Sequence, residues 1–302
     1  MPPREPTTET AHQPSSHPFH LVPGLSNFRD IGGWDIISSR NSPCGLQVRQ
    51  GVLYRGSDTS RITPDGITTL QSLGIKTDFD LRSRQQIEKT GGFKDMGAWG
   101  ISRKWSPVFA EEAYTEAAAR KRYELYAGEG TDGIVAAFVE ILEAGAHMFG
   151  DVLRHLLATV PRPGSSKAGV PALFMHCTTG NNRTGVFVSL LLMLLHVPEA
   201  SIADEYALSE QGLAPTRHMN IERLLNKGAF YEYPAEEARR KCERMVGARR
   251  ESMEALLAEV HRKWGGAEGY FRQDVGLADE EIGMLREVLT VQKRQDTATV
   301  GQ

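Results

Sequence analysis

A cysteine and an arginine separated by five residues stand between two apolar runs, in Phe174-Met175-His176-Cys177-Thr178-Thr179-Gly180-Asn181-Asn182-Arg183-Thr184-Gly185. The pattern predicts a strand that ends at the cysteine, a tight loop, and a buried helix behind Arg183. The amides of Thr178, Thr179, Gly180, Asn181 and Asn182 can curl around one small anion, with the positive end of the helix beneath it. In such a field a cysteine pKa falls from about 8.5 into roughly the 3.5–7.5 range, which makes Cys177 a nucleophilic thiolate. The Arg183 guanidinium is forked and permanently charged, so it can hold two oxygens of a phosphoryl group in line with the sulfur. Gly180 and Gly185 allow backbone approaches that a Cβ would block, the Thr184 hydroxyl can donate to the thiolate, and His176 orients the loop.

Competing chemistry is excluded by what the neighbours lack. Gly180 and Gly185 have the glycine spacing of a nucleotide-binding loop, but Val186-Phe187 stands where that loop needs Lys and Ser or Thr. A zinc site on His176 and Cys177 would need two more ligands, and the remaining histidines have no ligand spacing. A buried structural cysteine is the plain alternative, and a redox-sensing thiol resolved by Cys44 or Cys242 is another.

The chain has 302 residues, 40% hydrophobic and 24% charged, with a formal charge of -3. These values describe a globular protein and give no general electrostatic footprint for nucleic acid. Three cysteines cannot all pair, the N-terminus lacks an apolar signal-peptide core, and the longest strongly apolar run, 186–197, is too short to span a membrane. A cytoplasmic protein without membrane insertion is expected. Residues 1–20 read as a disordered tail and 293–302 as a flexible one, with one domain over 21–292.

Short β-rich runs at 51–55, 75–81 and 170–175 predict strands. Thr63 as cap, Pro64 at the first position and Gly74 as stop predict a helix between the first two. Helical periodicity covers 134–160, 186–197 and 201–211, then a run through Met245, Arg249, Met253, Leu256 and Val260, and finally Ile282, Leu285 and Leu289. Strands interleaved with helices imply an α/β fold with a mostly parallel sheet flanked by helices.

Beyond the loop, the chain resembles the microbial tyrosine/serine phosphatase family of the protein-tyrosine-phosphatase superfamily. Asn27-Phe28-Arg29-Asp30-Ile31-Gly32-Gly33, Leu53-Tyr54-Arg55-Gly56-Ser57 and the Asp80-Leu81-Arg82 strand ending are similar to its signatures in order and spacing, as are Gly269-Tyr270-Phe271 and Leu277 to Ile282. The resemblance runs from about residue 19 to 292. It implies a single phosphatase domain, no cofactor or metal, a phosphocysteine intermediate, and a helical lid, expected here within 84–133. The implied partner is a phosphorylated protein or a small phosphate ester.

Several relatives carry Gly-Lys-Asp-Arg in the loop, with the aspartate as general acid; this chain has Gly180-Asn181-Asn182-Arg183. Asn182 has no acidic proton. General acid catalysis contributes roughly 10²–10⁴-fold, so another carboxyl is required or turnover is slow. Asp80, at a strand end facing the loop, is the first candidate, against the alternative that it pairs with Arg82, Arg29 or Arg55. Asp30, expected to hold a turn, and Asp58 are weaker. Without the loop lysine, phosphotyrosine or another monophosphate ester is expected over phosphoinositides. A slow or non-catalytic phospho-ligand binder and a phosphatase for a small metabolite are the alternatives.

Overall fold

Leu53–Gly56 and Ala172–His176 are buried at every position, as strands covered on both faces must be. The computed structural model describes residues 18–37, 43–113, 115–165 and 169–293. The chain runs through β1 (Arg29–Asp30), β2 (Asp35–Ile37), β3 (Pro43–Val48) and β4 (Leu53–Gly56), then α1 (Pro64–Ser72), β5 (Ile75–Asp80), α2 (Arg84–Lys89) and β6 (Ser102–Trp105). After α3 (Glu116–Ala127) and α4 (Asp132–Thr159) it returns as β7 (Ala172–His176). The rest is α5 (Asn182–Leu194), α6 (Glu199–Leu213), α7 (Arg217–Asn226), α8 (Ala235–Met245), α9 (Arg250–Trp264), α10 (Ala267–Gln273), α11 (Asp279–Leu289) and β8 (Thr290–Gln292).

Among the described residues, one sheet has the order β1-β4-β7-β5-β6, and a smaller antiparallel one has the order β2-β3-β8. β4, β7, β5 and β6 are mutually parallel, with β1 antiparallel on the edge. Gly56, His176, Asp80 and Trp105 therefore end at the same rim, where open α/β sheets hold their ligands.

The local signals explain most boundaries. Thr63 Oγ1 accepts from the Gly66 N–H at 3.2 Å and Pro64 opens α1. α4 is long and apolar enough to cross a membrane by composition, but Phe138, Ile141, Phe149, Leu153 and Leu156 are buried and it packs on α5, α9 and α11. Its apolar content is accounted for by the main core, which runs in sequence from Ile31 to Leu289.

Three expectations change. The periodic run from Met245 to Val260 is two helices, because α8 ends at Met245 and α9 starts at Arg250 after Val246-Gly247. Residues 18–20 belong to the fold: Pro18 O accepts from the Asp30 N–H and Phe19 bridges Arg29. Lys293 is tied by its Nζ to Asp35 at 2.8 Å. The remainder of both expected tails, 1–17 and 294–302, lies outside the described residues.

Candidate active site

Cys177 follows β7, and the turn to α5 is held by a full set of partners for its carbonyls. The Cys177 oxygen lies 2.9 Å from His176 Nδ1. Thr178 O accepts from the Asp58 N–H at 3.2 Å, and Thr179 O from Asn27 Nδ2 at 3.1 Å. Gly180 O and Asn181 O accept from Arg55 Nη2 at 2.5 and 3.2 Å. With the carbonyls engaged outside the ring, the amides on the other side of each peptide plane turn inward. Gly180 makes this possible: its φ is +68, and a Cβ there would come within 2.1 Å of Gly56 O.

Behind the loop lies a buried ionic triad. Glu205 of α6 accepts from Arg29 Nε at 2.8 Å and from Arg55 Nη1 at 2.6 Å, with all three side chains at or below 1% exposure. Arg29 also reaches Ser209 Oγ at 3.1 Å and Asn27 Oδ1. The two signature segments containing Asn27, Arg29 and Arg55 are thus the scaffold of the Cys177–Arg183 loop. Glu205 has no sequence motif and is invisible until α6 is packed beside β1 and β4.

Cys177 is 3% exposed, so its thiol is reached only from the cavity above it. Burial alone would raise its pKa; the Arg183 guanidinium, the Thr184 hydroxyl and the N–H groups of Thr184 and Gly180 outweigh that and bring it down to about 7. Thr184 Oγ1 is itself buried without another hydrogen-bond partner, which leaves its proton for the sulfur. Arg183 is positioned by α2: its Nη1 donates to Gln86 Oε1 at 2.6 Å and faces Leu81 O at 3.4 Å. Gln86 is fixed in turn by a capping box with Ser83. The start of the expected lid region is therefore an arginine-positioning element.

Asp80 is held in ion pairs. Its oxygens accept from Arg82 Nε at 2.9 Å, Arg82 Nη2 at 2.8 Å and Arg103 Nη2 at 2.8 Å, and it is fully buried. Burial opposes its ionisation, but His176, Arg82 and Arg103 together hold the carboxyl well below the usual carboxylate range. The pairing alternative with Arg82 is the one observed. Asp30 binds the Gly32 and Gly51 N–H groups at 2.8 and 2.6 Å, as a turn holder would. Asp58 caps a short helical turn through the Ser60 N–H at 3.0 Å and lies 3.3 Å from Arg82.

His176 and Asp78 are both fully buried, with Nε2 3.0 Å from Oδ1. Neither atom is satisfied by a well-aligned hydrogen bond, so the attraction is chiefly coulombic. Burial would lower the His176 pKa; Asp78 and Asp80 raise it to about 9, against the opposing charge of Arg82. A folded pKa above the unfolded value of 6.5 stabilises fully below pH 6.5, and that stabilisation is lost as pH rises through about 9. Cys177 has the opposite slope in this window, so the measurement belongs in Cys177→Ser. Urea titrations of that variant are expected to lose roughly 3 kcal/mol of stability between about pH 6 and 10, and a further Asp78→Asn change to reduce the dependence, Asp80 supplying the remainder. An unchanged pH slope in the double variant would reject the pairing.

The cavity over the thiol has a volume of about 800 Å³ and is lined by Cys177, Thr178, Thr179, Asn181, Asn182 and Arg183. Gly180 and Thr184 stand behind this surface. Phe109, Tyr123, Tyr126 and Phe230 form aromatic walls. α2 and α3, both within 84–133, supply part of the lining; α7 and residues 227–232, which the lid expectation did not include, supply more of it. Asn182 Oδ1 accepts from Tyr206 OH at 3.1 Å. The lining carboxylates among the described residues are Glu124, paired with Lys241 at 2.8 Å, and exposed Glu232. The loop lacks a lysine, but Lys89, Arg120, Arg122, Arg223 and Lys227 line the same cavity.

Sheet and loop together define a class, the cysteine-dependent phosphoric monoester hydrolases. Comparison with known families matches the tyrosine phosphatase family over residues 20–291, and the chain belongs to it. It is 28% identical to a tyrosine-protein phosphatase of Nostoc commune over 249 residues, 82% of this chain and 78% of that one. It is 25% identical to the triple specificity protein phosphatase PtpB of Mycobacterium tuberculosis over 285 residues, 89% and 98% of the two chains. Among solved structures, the core catalytic domain of the PP-IP phosphatase SIW14 of S. cerevisiae aligns with 68% of this chain and 86% of that one, at 14% identity and a TM-score of 0.28.

Proposed function

We propose that the protein hydrolyses aryl phosphate monoesters, phosphotyrosine in proteins above all, through a phosphocysteine. Cys177 Sγ forms a bond to phosphorus as the bond to the phenolic oxygen breaks, and Arg183 and the loop amides hold the phosphoryl oxygens. Water then attacks phosphorus, releasing inorganic phosphate and the thiolate. The observation that carries this reading is a thiol titrating at about 7 on the floor of an aromatic-walled cavity, beside Arg183. The same proposal places the protein in a reducing compartment such as the cytoplasm, because Cys177 must stay a free thiol.

The lack of an acid in the loop itself favours an aryl substrate. A phenol with a pKa of about 10 leaves as its anion far more readily than an alkanol, so losing the proton donor costs a phosphotyrosine substrate least. Matched phosphotyrosine and phosphoserine peptides are expected to differ in kcat by about 10²–10⁴-fold in favour of tyrosine. Asn182→Asp restores a carboxyl beside Arg183 and narrows that gap by speeding the serine peptide. Equal turnover of the two peptides by the unmodified chain would refute the aryl preference. One relative is named a triple specificity phosphatase, and the serine arm reads whether this chain shares such breadth.

A further inference from the structure

We propose that Lys89, Arg223 and Lys227 form a second anion subsite, which takes a second phosphate carried by the same phosphotyrosine segment. The inference rests on the phosphotyrosine reading and adds a specificity to it. Lys89 is the last residue of α2, Arg223 lies in the last turn of α7, and Lys227 caps that helix. All three line the cavity whose floor is Cys177.

None of the three has a carboxylate at ion-pair distance among the described residues. Other cavity cations are engaged: Arg183 with Gln86, Arg122 with Glu140, and Arg120 with the Tyr231 hydroxyl. Arg223 is half-buried; burial lowers its pKa, Arg61 lowers it further, and only Asp58, itself beside Arg82, offsets this. Lys227 is lowered by burial, then by Arg223 and Lys89. Like charges lining one cavity, one of them partly desolvated, raise the energy of the empty protein, and an anionic ligand group relieves it.

The chemistry of the occupant follows from what it must match. A phosphoester carries about −1.5 to −2 charges and three acceptor oxygens, which suits three convergent cations better than one carboxylate does. Lys89 and Lys227 are exposed at the cavity mouth rather than at its floor. A residue flanking the phosphotyrosine reaches the mouth while the ring occupies the aromatic walls around Cys177. A cavity of about 800 Å³ has room for both.

The test compares two peptides of one sequence, with phosphotyrosine alone or with an added phosphoserine nearby. The doubly phosphorylated peptide is expected to have a KM lower by roughly tenfold to a hundredfold, with the advantage shrinking in high salt. The ratio of the two KM values should fall to near one in Lys89→Gln/Arg223→Gln/Lys227→Gln. It should fall part of the way in Lys227→Gln alone, an exposed change that leaves the core intact. Equal KM values in the unmodified protein, or an advantage that survives these substitutions, would overturn the subsite while leaving the phosphotyrosine reading standing. Faster turnover of an inositol bisphosphate than of either peptide would assign the charges to a small polyol and overturn the peptide proposal. Failure to turn over either peptide, with an aryl phosphate still hydrolysed, would overturn both readings at once.

Discussion

Cys177→Ser is expected to lower kcat by at least about 10³-fold while leaving binding of inorganic phosphate in place. The field of Arg183, Thr184 and the loop amides brings a thiol from 9.0 to about 7, a shift far too small to ionise an alcohol at neutral pH. The hydroxyl is nonetheless close in size to the thiol, and the loop carbonyls are held by Asn27, Arg55 and Asp58 rather than by the sulfur. The cradle therefore persists without its nucleophile. Steady-state assays with an aryl phosphate and calorimetry with inorganic phosphate separate the two effects. In the unmodified protein, rapid quenching should trap label on Cys177, and the acid limb of kcat/KM should break at about pH 7, activity falling below it as the thiolate is protonated. Turnover retained by the serine variant would dismiss the covalent scheme.

Glu205→Gln is expected to destabilise the fold by about 3–5 kcal/mol, since it strands two buried arginines without their counter-charge. Burial opposes ionisation of Glu205, but Arg29 and Arg55 keep its pKa below the usual value. Arg29 is itself brought down to about 9 by burial and by Arg55 despite Glu205. Loss of the carboxylate should also weaken phosphate binding, because Arg55 carries the carbonyls of Gly180 and Asn181. A parallel change at Glu236, whose pair with Arg240 is exposed on both sides, should alter stability by less than about 1 kcal/mol. Denaturant midpoints read both variants, and similar small changes in the two would dispose of a structural role for the triad.

The loop from Phe174 to Gly185 was legible because everything it needs locally is contiguous: apolar strand, small turn residues, apolar helix. The three central strands were legible for the same reason, each being short, β-rich and bounded by turn residues. What sequence did not display was pairing at long range. Gln86 meets Arg183 across 97 positions and Arg55 meets Glu205 across 150, and no periodicity marks either partner. Asp80 stayed ambiguous because an aspartate two residues before an arginine can serve chemistry or pair with it, and its second partner, Arg103 of β6, has no signal in the sequence. Lys89, Arg223 and Lys227 read as solvated helix faces until α2 and α7 are brought to one cavity. The break between α8 and α9 had a signal in Gly247, which the spacing of apolar residues on either side concealed.

The donors that hold the loop carbonyls lie far upstream: Arg55 is 125 positions from Gly180, and Asn27 is 152 from Thr179. The reactivity of the sulfur is therefore acquired at a late stage of self-assembly. The groups that lower the pKa of Cys177, from Gly180, Arg183 and Thr184, are its near neighbours in sequence, but the turn that aims them is held from a great distance along the chain. Only when the amino-terminal segments close over that turn are nucleophile and anion-binding amides aimed together, so chemistry directed at phosphorus belongs to the folded chain.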